Sequence, residues 1–207
     1  MYIPKLFEAS EQTGREIMQA HGWALLVTTG PDGAPFASHL ALLWQDDGSE
    51  HGQLIGHVAR ANPHWMLFAE GSLSMAMFWG PHAYVSPTWY TPGPKVPTWN
   101  YVTVHAYGAP AIIDDTKGAL DVLARLTAVY EGPGPDAWTL DRLPSGTAEA
   151  QTKGLVAFRM PLARIEVKAK LSQNRDLEDR HRVIAQLEAS DSQEAQATAL
   201  WMKKVLP

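Results

Sequence analysis

The 207-residue chain contains no cysteine, which excludes disulfides and thiolate metal centres. It also lacks any run near the roughly 20 apolar residues that cross a bilayer, so no membrane association is expected. The opening residues, Met1-Tyr2-Ile3-Pro4-Lys5, lack the charged-then-apolar layout of a signal peptide, and a cytoplasmic location is the expectation. Excess positive charge is missing as well. The formal charge is −5; residues 1–150 hold 7 basic and 15 acidic side chains, a net −8, and residues 151–207 hold 10 and 7, a net +3. Strong non-specific nucleic-acid binding needs clustered cations and is disfavoured. A local basic patch stays open, because 8 basic and 4 acidic residues lie between Lys153 and Arg182. Two catalytic spacings are absent too: no G-x-S-x-G elbow surrounds a serine, and no H-E-x-x-H pair is present.

What is present reads as one globular domain, 1–207, with 45% apolar residues and a helical segment at about 176–204. Ser10 caps a short helix over 11–21, closed by Gly22. Strand-like segments follow at 23–29, 36–44 and 53–59, separated by the turn sequences Gly30-Pro31-Asp32-Gly33 and Asp46-Asp47-Gly48-Ser49. No helix-length segment lies between them, so an antiparallel meander is expected rather than βαβ units. Asn62, Pro63 and Gly71 have the cap, first-turn and stop positions of a helix over 62–70. Further strands are expected at 73–79, continuing through 85, and at 99–113, bent near Gly108 and Pro110. Residues 86–98 carry Pro87, Pro92, Pro94 and Pro97 and read as a loop. Asp114 is placed to cap a helix ending near Tyr130, and a short helical stretch is expected around 138–143. Strands at 154–159 and 162–168, turned at Met160-Pro161, precede two helices at 176–189 and 192–204. Six or more short strands with few intervening helices imply a small β-barrel with helices outside it.

The stretch "GHVARANPHW", residues 56–65, combines a strand end, an arginine and a helix start. Unpaired N–H groups at a helix N-terminus attract phosphate, and Arg60 adds a planar fork that grips phosphate oxygens. The same pattern also describes a capped surface helix with a solvated arginine. His39, His57, His64, His82 and His105 lie in or near strands; they read as hydrogen-bonded structural histidines, with a dispersed metal site as the alternative. Trp79, Trp89 and Trp99 with Tyr84, Tyr90 and Tyr101 crowd residues 79–101, suiting either a flat ligand or subunit contact, or anchoring of the loop in its own core. "KLSQNR", residues 170–175, reads as a polar turn in which Ser172 or Asn174 caps the next helix.

Together "MYIPKLFE", "LVTTGPDGAPFASHLAL", "GHVARANPHW", "FWGPHAYVSPTWY", "VPTWNYVTVHAYG" and "KLSQNR" resemble the PaiB-like family of FMN-binding negative transcriptional regulators. The resemblance runs from residue 1 past 175. It implies the FMN-binding split barrel, shared with pyridoxamine-phosphate oxidases and haem-utilisation proteins, and a homodimer with FMN at the interface. By that resemblance Ser38, His39 and Leu40 face the flavin ring and ribityl chain. His57, Val58, Ala59, Arg60 and Asn62 hold the phosphate. Trp99, Asn100, Gln173 and Asn174 close over the ring from the same chain or its partner. Residues 131–150 carry none of these contacts. The implied function is a redox-active or redox-responsive flavoprotein, in which flavin supplies the redox chemistry and the protein tunes it. No acid or base stands out as catalytic. Two alternatives accompany it: a DNA-binding repressor using the two C-terminal helices of a dimer, and a haem-binding relative.

Overall fold

A computed structural model describes residues 1–68 and 72–207. Seven strands form the sheet: β1 (Trp23–Thr29), β2 (Pro35–Gln45), β3 (Gln53–Ala59), β4 (Ser74–Val85), β5 (Thr98–Gly108), β6 (Ala111–Ile113) and β7 (Leu155–Lys170). Their order is β3-β2-β1-β4-β5-β7-β6, and an added β3–β7 pairing closes six of them into a ring. Among the described residues five α-helices accompany them: α1 (Glu11–Ala20), α2 (Thr116–Glu131), α3 (Thr147–Thr152), α4 (Leu177–Glu188) and α5 (Gln193–Lys204). This ring of strands with helices beside it is the small β-barrel expected from the strand pattern and the split barrel implied by the family resemblance. The chain packs as two compact units, one of Met1–Ile17, Trp79–Val104 and Glu166–Pro207, the other of Met18–Phe78 and His105–Ile165.

In the second unit, β1 lies between β2 and β4, and β3 pairs on one edge with β2 and on the other with β7. Inward residues alternate with outward ones, as in Ala24, Leu26 and Thr28 of β1. Helix α2 covers the outer face: Ala119, Val122 and Leu126 pack with Ile55 and Ala157, flanked by Ala41, Leu43 and Ile113. Its cap is Asp115, whose carboxylate accepts from Gly118 N, one residue beyond the expected Asp114. The stretch near 138–143 contains only a 3-10 turn, Leu140–Arg142, and α3 follows it without having been expected.

Residues 154–168 do not turn at Pro161. β7 is continuous, and Pro161 meets Gln53 at the final position of the β3 ladder. Proline there removes no needed donor, and an extended backbone suits its fixed φ. The expected helix over 62–70 is a 3-10 turn, Pro63–Phe68, with Glu70 and Gly71 outside the described residues.

In the first unit α4 and α5 bury Val183, Ile184, Leu187, Ala199 and Met202. Asp176 caps α4 through Asp179 N at 2.8 Å and Ser192 caps α5, so neither Ser172 nor Asn174 has that role. The 86–98 loop is tied to α4: the buried Asp179 accepts from Thr91 N at 2.7 Å and Thr91 Oγ1 at 3.0 Å, and pairs with Lys95. Burial acts to raise the Asp179 pKa, but these donors outweigh it and hold the carboxyl below its ordinary value.

Candidate functional site

The ladder between β2 and β3 is short. It runs from Gln45↔Gln53 to Leu42↔Gly56, although both strands continue. Continued in register, it would bring His39 opposite Ala59 and Ser38 opposite Arg60. Those rungs are not formed. β2 stays paired to β1 through Pro35, and β3 stays paired to β7 through Ala59, so two strand edges part around an open seam. Leu42 N donates to Gly22 O at 2.8 Å, away from the seam, and Arg60 N donates to Gly154 O at 2.9 Å, also away from it. The two-residue period therefore turns the main-chain groups of His39 and Ala59 into the opening. Ser38–Leu40 and His57–Arg60, singled out in sequence, flank this one feature. An unmade rung offers N–H donors and C=O acceptors that a polar ligand can satisfy.

The side chains divide by alternation. Ser38 and Leu40 are buried, while His39 between them is exposed and stacks on Trp23, ring centroids 6.4 Å apart at 19°. Three consecutive strand residues cannot all present side chains to one ligand. Val58 is buried and Ala59 exposed. His57 is half-buried; its Nδ1 is sequestered without a protein partner among the described residues, and burial lowers its pKa. A ligand donor or acceptor beside β3 would satisfy that nitrogen.

Arg60 is exposed, yet its guanidinium is held. Its Nε donates to Lys153 O at 2.9 Å and one terminal nitrogen donates to Leu155 O at 2.8 Å. Trp65 Nε1 donates back to Arg60 O at 3.0 Å. The guanidinium is thus oriented with part of its fork unused. On one side it lines a cavity of about 230 Å3 shared with Asp114 and Asp115, whose carboxylates make that cavity poor for an anion. The start of the following turn offers no helix terminus for a phosphate. The Pro63–Phe68 turn is too short for a useful macrodipole, and Asn62 Oδ1 already accepts from His64 N at 3.0 Å.

Asn62 instead joins a buried polar chain. Its Nδ2 donates to Ser38 Oγ at 2.9 Å, across the far end of the seam. His64, fully buried, lies between Ser38 Oγ at Nδ1 and Thr28 Oγ1 at Nε2, each 2.9 Å away, and Thr28 meets Ser74 at 2.6 Å. One proton order needs no outside partner: Asn62 to Ser38, Ser38 to His64 Nδ1, His64 Nε2–H to Thr28, Thr28 to Ser74. Burial pushes the His64 pKa down to about 4, so the ring is neutral near pH 7. The structural reading of the histidines holds for His64, yet its link to Ser38 and Asn62 was missed. The signal was there: Thr28, Ser38 and Ser74 are polar residues at inward strand positions.

Trp99, Asn100, Gln173 and Asn174 belong to the first unit and the seam residues to the second. Trp99 is 52% exposed, against Tyr84 at 6.0 Å and His82 at 6.3 Å between ring centroids. Trp79 and Tyr84 are exposed as well, whereas Tyr90 is buried, so the aromatic stretch serves both surface and core. Asn100 is fully buried, donating to Ser172 Oγ at 2.9 Å and accepting from it at 3.1 Å. Gln173 braces its own turn through Leu171 N at 2.7 Å and Ala169 O at 2.6 Å, and Asn174 is exposed. Among the described residues no three His, Asp or Glu groups gather as metal ligands, and no helix is long and apolar enough to cross a membrane.

Residues 1–164 match the sequence profile of the family described as "Putative FMN-binding domain". The chain is 35% identical to the Bacillus subtilis "Protease synthase and sporulation protein PAI 2" over 209 residues, covering 100% of this chain and 98% of the relative. It is 31% identical to the Saccharomyces cerevisiae "Uncharacterized protein YKL070W", covering 66% of this chain and 94% of that protein. Among solved structures, the flavocytochrome Anf3 from Azotobacter vinelandii superposes with a TM-score of 0.65 at 15% identity, covering 87% of this chain and 78% of its own. The FAD and heme binding protein from Mycobacterium smegmatis gives 0.62 at 16%, covering 83% and 77%. At such identities the two structures speak to fold alone.

Proposed function

Because this chain belongs to the PaiB-like family of FMN-binding proteins, with FMN as its cofactor, we propose that it is a homodimeric, redox-responsive flavoprotein whose flavin lies along the β2–β3 seam. The observation that carries this reading is the unmade rung between His39 and Ala59, flanked by Ser38–Leu40 and His57–Arg60. Main-chain groups of β2 and β3 meet the polar edges of the cofactor, and His57 Nδ1 gains the partner it lacks. The free part of the Arg60 fork takes the phosphate from the seam side, away from Asp114 and Asp115. Trp99 and Asn174, both exposed, contribute through the partner subunit, with Trp99 as the planar surface, while the buried Asn100 and the internally bonded Gln173 brace the segments that carry them. Bound flavin supplies electron transfer; the protein's part is to hold and shield it.

The Bacillus relative's name points to control of protease synthesis and sporulation, and a regulatory output for this chain follows that lead. Direct DNA contact through α4 and α5 has little support. Arg180 and Arg182 are spent on Val205 O and Trp89 O, while Lys203 and Lys204 pair with Glu188 and Glu16. A regulator sensing redox state or flavin supply suits these surfaces better than a DNA-reading helix.

The test is an FMN titration of purified protein followed by its visible spectrum and by light scattering for mass. Wild-type protein is expected to bind FMN as a dimer, and Arg60→Ala to bind it at least about tenfold more weakly, the loss of a charge-assisted bond. A protein that leaves the FMN spectrum unchanged, or an Arg60→Ala variant of undiminished affinity, refutes the assignment. A Soret band on haem addition without FMN uptake would favour the haem-binding alternative.

A further inference from the structure

The first unit contains a group of cations that nothing described so far uses. Lys168 is 9% exposed; its Nζ donates to Tyr2 O at 3.1 Å and sits 5.6 and 5.4 Å from the ring centroids of Tyr2 and Tyr101. Lys170, two residues along β7 and so on the same face, donates to Thr98 Oγ1 and Trp99 O, each at 2.5 Å. Ser172 then takes a left-handed φ of 65° and Arg175 N bonds back to Ser172 O at 2.9 Å, a bend held by the Ser172–Asn100 pair. It returns Arg175 over the Tyr90 ring, 4.8 Å from its centroid.

None of the three makes an ion pair among the described residues, whereas the Met1 amine pairs with Glu166 and Lys95 with Asp179 in the same unit. Burial, then Lys168, then Arg175, push the Lys170 pKa below its ordinary value. Glu8 lies opposite Lys168 across an isolated bridge but makes no ion pair with it among the described residues, and one carboxylate against three partly desolvated cations leaves an excess of positive charge that is costly. A chain that keeps such a group, and spends a left-handed serine and a buried asparagine on its geometry, has built a place for a negative charge.

We propose that Lys168, Lys170 and Arg175 form a binding site for a phosphate or carboxylate oxyanion. Trp99 and Tyr101, which supply the carbonyl on Lys170 and a ring beside Lys168, also line an open cavity of about 290 Å3 with Trp79 and His82. The body of a small molecule bearing the oxyanion has that aromatic wall to lie against. Two sources share the chemistry: the phosphate of FMN, which would then replace Arg60 in the role proposed above, and a separate small acid. The site itself stands whichever residues hold the flavin.

Calorimetric titration of the full chain with inorganic phosphate, in phosphate-free buffer of low ionic strength, tests it. FMN and riboflavin titrations run beside it. Phosphate is expected to bind wild-type protein and to bind Lys170→Met and Arg175→Met at least about tenfold more weakly, with Lys170→Arg retaining affinity. If FMN phosphate is the natural occupant, Lys170→Met also lowers the FMN-to-riboflavin affinity ratio. If a separate acid is, that ratio stays constant and phosphate still binds FMN-loaded protein. Folding is checked by circular dichroism, and Arg175→Met decides should Lys170→Met not fold. Wild-type protein that ignores phosphate and does not discriminate FMN from riboflavin overturns the proposal. So do folded variants with unaltered phosphate affinity and an unaltered ratio.

Discussion

Lowering the pH should destabilise this protein through one buried ring. His64 has both nitrogens committed, to Ser38 and Thr28, and burial holds its pKa at about 4 against an ordinary 6.5. The unfolded chain therefore takes up a proton as pH falls through 6.5, while the folded chain refuses it until about 4. Stability from this group is complete above pH 6.5, is lost as pH falls, and is gone below about 4. One pKa unit is worth about 1.4 kcal/mol, so the loss is about 2 kcal/mol at pH 5 and about 3 kcal/mol at full protonation. His57, also lowered by burial, adds to the fall in the same direction. Urea denaturation of wild type and His64→Gln at pH 7, 6 and 5 isolates the ring, because contributions from other groups are common to both. The variant should be less stable at pH 7 by about 1–3 kcal/mol, having left a hydroxyl unpaired. Between pH 7 and 5 it should lose about 2 kcal/mol less than wild type. Parallel stability curves for the two proteins would refute the account of a neutral, doubly bonded His64.

Gly56 sits at the last rung before the seam, where an added Cβ would meet Leu42 Cδ2 at 2.6 Å and Ala41 O at 3.1 Å. Gly56→Ala should cost about 1–3 kcal/mol in urea denaturation and weaken FMN binding, whereas Gly134→Ala, with nothing within 4 Å, should change neither; equal behaviour of the two would show that the close approach at Gly56 does not shape the seam. Asp179→Ala strands the charge of Lys95 and frees Thr91, so the 86–98 loop should be cut first in limited proteolysis, with about 3 kcal/mol lost in stability. An unchanged cleavage pattern would show that this loop is held by something else.

The fold was legible wherever a local signal coincided with a tertiary one. The starts and ends of β1 and β3 follow from turn residues that keep their roles in the folded chain, and α4 keeps its span although its cap is Asp176. Local chemistry misleads where packing overrides it. Pro161 looks like a turn, yet it occupies a ladder position that requires no donor, so β7 runs through it. Asn62-Pro63 looks like an α-helix start. The asparagine amide is instead drawn to Ser38 and the following histidine is pinned between two strands, leaving only a 3-10 turn. Long-range partners decide both, and no local window contains them.

The candidate site was legible as a set of residues but not as a mechanism of binding. Arg60 invites a side-chain argument about phosphate and a helix terminus, and the terminus proves already occupied. The larger feature is main-chain: two antiparallel strands that stop pairing after Leu42↔Gly56 while each remains paired on its outer edge. Such a seam has no residue-type signature, since any sequence supplies N–H and C=O groups. What marks it in sequence is indirect, a glycine at the last rung and an asparagine positioned to reclose the far end. The buried Thr28–His64–Ser38 chain then acquires a purpose beyond satisfying its own members. It fixes Ser38 and Asn62, the two side chains that join across the gap beyond the last rung.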